Sequence, residues 1–183
     1  LMGLEGAGLL YVHPDRIGAL EPATAGWLSH EQGADFLVRG PGLLRYDRPL
    51  KRGADVFEGA TLPGAGFAGL GASVRLLLKL GTAAIAAHVG EYLDRLEPAL
   101  VARGFVSLRA ADPASRSGIL SAVPPAGVEL ARLQRELDAR GVVVSTPDGL
   151  LRFAPHWPSS LAELPEVVAA LDAALSLATR AAP

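Results

Sequence analysis

The sequence predicts an α+β fold: long helices lead into a small antiparallel sheet with helices on one face. Three observations carry this. Between residues 67 and 104, two consecutive runs repeat apolar residues at helical spacing. Beyond residue 104, short apolar runs alternate with Gly- and Pro-containing turns. Within that stretch, Pro147-Asp148-Gly149 separates two apolar segments, with Pro setting φ and Gly supplying positive φ for a turn.

Taken in order, Ala7–Val12 is a short apolar run with glycines before it and His13-Pro14-Asp15 after it, and it reads as a buried strand. Residues 13–65 have weak periodicity and many Gly and Pro, so they read as a long excursion with a functional purpose. In the first helix Phe67, Leu70, Val74, Leu77 and Leu78 share a face, and Gly81 ends it. In the second, Ile85, Val89, Tyr92, Leu93, Leu96 and Leu100 repeat the pattern, with Gly104 as C-terminal cap. Pro98 lies inside this pattern and is expected to break or kink it by starting a last short turn. Phe105–Ala110 and Gly118–Val123 read as strands, and Val128–Arg140 as a helix stopped by Gly141. Val142–Thr146 and Leu150–Ala154 form an expected antiparallel hairpin. A last helix carries Leu161, Leu164, Val168, Leu171 and Leu175, with Ser160 and Glu163 spaced as a capping box and Pro165 early within it. The expected division is 1–65, 66–104 and 105–183.

Composition narrows the function. The chain has 183 residues, half of them apolar, and a net charge of −2, which argues against nucleic-acid and membrane-surface binding. No apolar run reaches about 18 residues, so no membrane span is expected, and no basic signal sequence opens the chain; a cytoplasmic location is the expectation. There is no cysteine, which removes disulfides, thiolate metal sites and cysteine nucleophiles. His13, His30, His88 and His156 show no metal-ligand spacing, and no metal site is expected. Gly3, Gly6 and Gly8 precede a strand instead of opening a helix, so a tight turn is favoured over a phosphate loop. No Gly-x-Ser-x-Gly elbow is present. Arg152, between Leu151 and Phe153, must reach a sheet edge or pair with an anion, and a guanidinium is a natural bidentate partner of a carboxylate. The alternative is a surface arginine on a half-exposed strand.

Several stretches in this order resemble the class V aminotransferase branch of fold-type I pyridoxal 5'-phosphate (PLP) enzymes. That group includes isopenicillin-N-epimerase-like proteins, kynureninases, cysteine desulfurases and selenocysteine lyases. Residues 1–12 resemble the segment that follows the Schiff-base lysine. Gly26-Trp27 resembles the family's Gly-Trp loop, Phe57-Glu58-Gly59-Ala60-Thr61 its Phe-Glu-x-Gly-Thr motif, and Phe67 to Gly81 the helix after it. Arg116-Ser117-Gly118-Ile119 resembles the lead into a small-domain strand, and residues 151–157 the Arg-(Ile/Val)-Ser-Pro-His-x-Tyr-Asn block.

The resemblance implies the C-terminal part of a PLP-dependent transferase fold. Residues 1–65 would end the PLP-binding large domain, 66–104 connect, and 105–183 form the small domain. It implies PLP as cofactor, an amino-acid substrate, and a homodimer with shared active sites. Thr61 corresponds to the threonine that reaches the cofactor phosphate, typically of the neighbouring subunit. Arg152 corresponds to the arginine that grips the substrate α-carboxylate. Trp27 and His30 match a Gly-Trp-x-x-His stretch near the active site of kynureninase-like members, which implies that both bind substrate, and His156 matches a structural histidine.

The resemblance places the lysine just before Leu1, and neither Lys51 nor Lys79 matches it, so this chain alone is expected to be inactive. Ala60 replaces the usual Gly before Thr61. Ser145 stands where some members have an arginine. Desulfurases carry a catalytic cysteine near Ser145–Asp148; its absence here makes a desulfurase the weaker reading. Transaminase, epimerase and lyase chemistry all stay open. The rival is a non-catalytic remnant or small-domain fragment acting through protein contacts alone.

Overall fold

The computed structural model describes residues 5–179. The chain divides into two compact units, Leu1–Lys79 and Leu80–Pro183. Helices α1 (Asp35–Arg39) and α2 (Gly64–Leu80) belong to the first. Helix α3 (Thr82–Val101), strands β1 (Val106–Ser107) and β2 (Leu120–Val123), helix α4 (Leu130–Asp138), strand β3 (Leu151–Phe153) and helix α5 (Leu164–Ala178) make up the second.

The first unit is mostly irregular, built from short 3-10 turns such as Pro14–Ala19, Trp27–Ser29 and Ala54–Phe57. Among its described residues the buried apolar side chains are Val56 and Leu70. The strand expected over Ala7–Val12 does not form, because no described segment pairs with it. Its side chains stand in solvent, with Leu9, Leu10 and Tyr11 exposed by 75%, 65% and 81%. The start of that segment packs on α2, where a Cβ at Gly66 would meet the Ala7 Cβ at 3.1 Å. Gly6, at φ 86°, makes the expected tight turn. Gly3 lies outside the described residues. The apolar face of α2 is only partly covered, with Leu70 buried but Leu78 71% exposed.

The second unit holds the core. The sheet is antiparallel in the order β1-β2-β3, with Val106 opposite Val123, Ser121 opposite Arg152 and Leu120 opposite Phe153. Side chains alternate across a strand, so Leu120, Ala122, Leu151 and Phe153 point into the core while Ser121 and Arg152 stand on the other face. Leu93, Leu96 and Leu100 of α3, Leu133 and Leu137 of α4, and Leu164, Leu171 and Ala174 of α5 complete the packing.

Two helices end as glycine placement predicts. Gly104, at φ 82°, lets its N–H reach the Val101 carbonyl (3.0 Å) and the Phe105 N–H reach that of Leu100 (3.2 Å). Gly141, at φ 77°, does the same with Asp138 (2.9 Å), and Val142 with Leu137 (3.0 Å). Both are Schellman closures, satisfying carbonyls left over at the helix end.

Other expectations are corrected. Helix α3 runs through Pro98 without a break. Pro98 falls in the last turn, where the missing N–H removes a single bond, and fully buried Leu96 and Leu100 anchor the chain on both sides. The strand expected over Phe105–Ala110 shrinks to Val106–Ser107. The expected hairpin keeps its turn, with Asp148 at φ 53° and Gly149 at φ 78°, but its ladder is the single pair Ser145–Arg152. β3 instead pairs fully with β2. Ser160 caps the 3-10 turn Leu161–Glu163 by accepting from the Ala162 N–H (3.2 Å), so the expected box does not open α5 directly. Pro165 is harmless because it occupies the first turn of α5.

A polar cluster joins α3 to the loop after β1. The Arg109 side chain is only 4% exposed; its Nη1 donates to Asp94 (2.6 Å) and Glu97 (3.0 Å). The Ser107 hydroxyl also donates to Glu97 (2.5 Å). Burial pushes the Arg109 guanidinium down, but the hydrogen bonds and charges of both acids outweigh it and hold it above its ordinary value. Burial pushes the Glu97 carboxyl up; the Ser107 and Arg109 hydrogen bonds, with the charges of Arg109 and Arg116, outweigh it and hold it below the usual carboxylate range. Arg103 grips Asp172 of α5 with Nε and Nη2 (2.6 and 2.7 Å).

Candidate functional site

In the first unit, two of the sequence motifs meet through their backbones. A Cβ at Gly26 would lie 1.8 Å from the Gly59 carbonyl oxygen, so only glycine fits there. The Leu28 N–H donates to that oxygen (3.3 Å), and the Gly26 N–H donates to Ser29 Oγ (3.2 Å). Ser29 is fully buried. The turn at residues 26–29 therefore props the loop at residues 57–61. Sequence reasoning singled out Gly26 and passed over Ser29, whose signal was its place inside Gly-Trp-x-x-His.

The propped loop lines an open cavity of about 590 Å³, with Gly8, Leu10, Phe57, Glu58, Thr61 and Phe67 on its walls. Among the described residues, the N–H groups of Ala60 and Thr61 and the Thr61 hydroxyl have no hydrogen-bond partner. Unpaired N–H and O–H donors on residues that line a cavity suit an anion, against which the Glu58 carboxylate of the same lining counts.

Trp27 and His30 are placed differently. The Trp27 ring packs edge-on to Phe36 at 5.0 Å, and a Cβ at Gly33 would lie 1.9 Å from the Trp27 carbonyl oxygen. His30 is 7% exposed; its Nδ1–H donates to the Arg48 carbonyl (2.7 Å), and its ring stands edge-on to Tyr46. Neither side chain lines the cavity with Thr61. Lys51 is tied to Asp55 (3.1 Å), and Lys79 sits in the last turn of α2.

Arg152 belongs to the second unit. Its N–H donates to the Ser145 carbonyl (2.8 Å) and its Nε to Ser145 Oγ (2.8 Å). Among the described residues it makes no ion pair, and its two Nη groups have no partner. Most arginines of this unit sit opposite a carboxylate, including Arg95, Arg103, Arg109, Arg116 and Arg140. Arg152 is left open. His156 donates its backbone N–H to Ser159 Oγ (3.2 Å), while its Nδ1 is buried without a partner. His88 bonds the Ser159 carbonyl through Nε2 (2.7 Å), and His13 caps an exposed turn. No group of three or more His, Cys, Asp or Glu side chains converges among the described residues.

A model of the aminotransferase class V family matches residues 1–151. The chain belongs to the class V aminotransferase family. The match ends one residue before Arg152, so that position rests on its motif and its surroundings. No curated protein sequence matches. Among solved structures, the chain is similar to the cysteine desulfurase CsdA from Escherichia coli, with a TM-score of 0.78 at 21% identity over 97% of this chain and 44% of that one. It is also similar to a cysteine desulfurase from Thermococcus onnurineus NA1 (TM-score 0.71, 18% identity, 92% and 42%). A third neighbour is the cystine C-S lyase C-DES, solved with its reaction product cysteine persulfide (TM-score 0.69, 21% identity, 88% and 40%). This class V chain thus spans less than half the length of these neighbours, and at such identities the likeness establishes the fold.

Gly26→Ala tests the joined loops. The added methyl must displace backbone, with an expected loss of about 1–3 kcal/mol in the first unit. Urea unfolding followed by Trp27 fluorescence in a Trp157→Phe background measures it. An unchanged midpoint would remove the backbone contact from the site.

Proposed function

We propose that this chain is the C-terminal part of a PLP-dependent enzyme acting on an amino acid, of aminotransferase, epimerase or lyase type. The observation that carries the reading is Arg152: a half-buried guanidinium on a strand, oriented by a neighbour and left without a carboxylate of its own. Its task is to hold the substrate α-carboxylate by a charge-assisted bidentate contact. The unpaired donors of Ala60 and Thr61 suit a phosphate, and that is the part of the cofactor these residues would hold. PLP, when bound, supplies the electron sink for bonds broken at the amino-acid α-carbon.

Residues 1–65 then close the cofactor-binding domain, 66–104 connect, and 105–183 form the small domain that brings Arg152. In the homodimer Thr61 serves the partner's cofactor phosphate. Trp27, half-buried against Phe36, and His30, fixed at the Arg48 carbonyl, would be further substrate-binding residues, on a wall apart from the Thr61 cavity. A cytoplasmic location accompanies this reading; no single helix among the described residues is long and apolar enough to cross a membrane. Residues 145–148 lead from the Ser145–Arg152 bridge into the turn Pro147–Gly149 and hold no cysteine, which favours the other reaction types over a cysteine-based desulfurase.

The reading places the Schiff-base lysine outside this chain. Lys51 is engaged with Asp55, and neither lysine lines the Thr61 cavity. Titration of the chain with PLP, followed by borohydride reduction and peptide mapping, is expected to give no stoichiometric adduct at Lys51 or Lys79. A stoichiometric adduct at either would put the lysine inside the chain and overturn this assignment.

A further inference from the structure

The region around Arg152 contains a second layer that the family resemblance does not assign. Arg152 and Ser145 face each other as a hydrogen-bonded antiparallel pair, each donating its N–H to the other's carbonyl (2.8 and 3.3 Å). Directly opposed residues of such a pair carry their side chains on one face, close together. That places Ser145 Oγ within 2.8 Å of Arg152 Nε.

Ser145 is itself held on both sides by one residue of α4. The Gln134 side-chain amide donates to the Val144 carbonyl (3.2 Å), and its carbonyl oxygen accepts from the Thr146 hydroxyl (3.0 Å). Beyond Thr146, the turn with Asp148 and Gly149 in left-handed conformations closes through the Leu150 N–H to the Pro147 carbonyl (2.9 Å). The segment bearing Ser145 is therefore tied to a helix, to a strand and to its own turn.

A guanidinium offers a carboxylate two bidentate edges: the side edge, which uses Nε, and the end edge, formed by the two Nη groups. Occupying Nε with a hydroxyl removes the side edge and leaves the end edge free. It also removes rotamer freedom from a side chain that otherwise carries much of it. We propose that Ser145 is the positioning residue of the site, braced by Gln134, and that it presents Arg152 end-on to a single carboxylate. This rests on the reading of Arg152 as the carboxylate clamp. Its substrate class is the monocarboxylate end of an amino acid, received in line with the arginine side chain.

The test uses this chain, with N-acetylglycine as probe because the carboxylate is its sole charge, and follows the arginine Nε–H signals by 1H–15N NMR. In the wild type, the Arg152 Nε–H is expected to be protected from solvent exchange and to stay protected on titration, since the probe binds at the Nη edge. Ser145→Ala is expected to lose that protection and weaken binding roughly tenfold, as for one hydrogen bond to a charged group. Ser145→Thr, which keeps the hydroxyl, is expected to restore both. In the full enzyme, Ser145→Ala should raise KM for the amino acid with kcat little changed. Wild-type binding and unchanged Nε–H protection in Ser145→Ala, with Arg152→Ala abolishing binding, would remove Ser145 while leaving the clamp in place. Unchanged binding in Arg152→Ala would remove the clamp itself and the proposal with it.

Discussion

Arg152→Ala in the full enzyme is expected to weaken amino-acid binding by about 2–5 kcal/mol, roughly thirtyfold to several thousandfold, and to leave PLP affinity unchanged. The size follows from what is left behind. Truncating one partner of a desolvated, hydrogen-bonded charge pair strands the other, so the substrate carboxylate would face a site with no cation to receive it. The selectivity follows from position. Arg152 lies on β3 in the second unit, whereas the unpaired donors of Ala60 and Thr61 proposed for the phosphate lie in the first. Arg152 also points away from the core formed by Leu151 and Phe153, so its removal leaves packing intact. Lysine is expected to rescue poorly, because a point charge cannot offer the planar two-donor edge. Parallel titrations with substrate and with PLP measure both affinities. Equal losses would mean that the second unit had misfolded, and Arg152 would leave the site.

How much of this was legible in the sequence depends on whether each feature is local. The caps at Gly104 and Gly141 were, because a Schellman closure needs positive φ at one position and an apolar residue just beyond it, as Phe105 and Val142 supply. The turn at Pro147-Asp148-Gly149 was legible for the same reason. Pro98 was misjudged because its cost is local while the burial of Leu96 and Leu100, which overrides it, is tertiary. Ala7–Val12 was misjudged in the other direction. Its composition suits a strand, but a strand exists only with a partner to satisfy its N–H and C=O groups, and no described residue supplies one. Arg152 was visible as a charge between Leu151 and Phe153. Its orienting hydroxyl at Ser145 lies on the hairpin arm the sequence predicts, but the register that sets Ser145 opposite Arg152 was not legible, nor was the brace from Gln134, which depends on how α4 packs on that arm. The approach of Gly26 to Gly59 spans more than thirty positions and leaves no trace beyond the glycine itself.

Replacing both Asp94 and Glu97 with alanine is expected to destabilise the second unit by about 3–5 kcal/mol, the cost of a buried charge left without its partners. The reverse change, Arg109→Met, is expected to cost less. The Arg109 side chain is 4% exposed, while Glu97 is 24% and Asp94 56% exposed, so the acids can turn to water and the guanidinium cannot. Methionine also keeps the apolar length of the side chain in place. This asymmetry separates a buried cation needing compensation from an ordinary surface network, in which both changes would be small.

Acid sensitivity follows from the same cluster. The Glu97 carboxyl is held below its ordinary value in the folded chain. Its stabilising contribution is therefore complete above the unfolded value of about 4.3 and is lost as pH falls through the lower folded one. Asp172, held down by its hydrogen bond to Arg103, acts in the same sense. Urea unfolding by circular dichroism, at neutral pH and then in steps below about pH 4.3, is expected to show wild-type stability falling over that acid window and Glu97→Gln with a shallower slope. A Glu97→Gln slope equal to wild type would remove Glu97 from the acid response, and losses equally small in Arg109→Met and the double variant would show that Arg109 is solvated in the folded chain. On the reading of Arg152 as a carboxylate clamp, the cluster bears on function because the loop after Arg109 leads into β2, whose Ser121 is the cross-strand neighbour of Arg152. A clamp can be no better placed than the sheet that carries it.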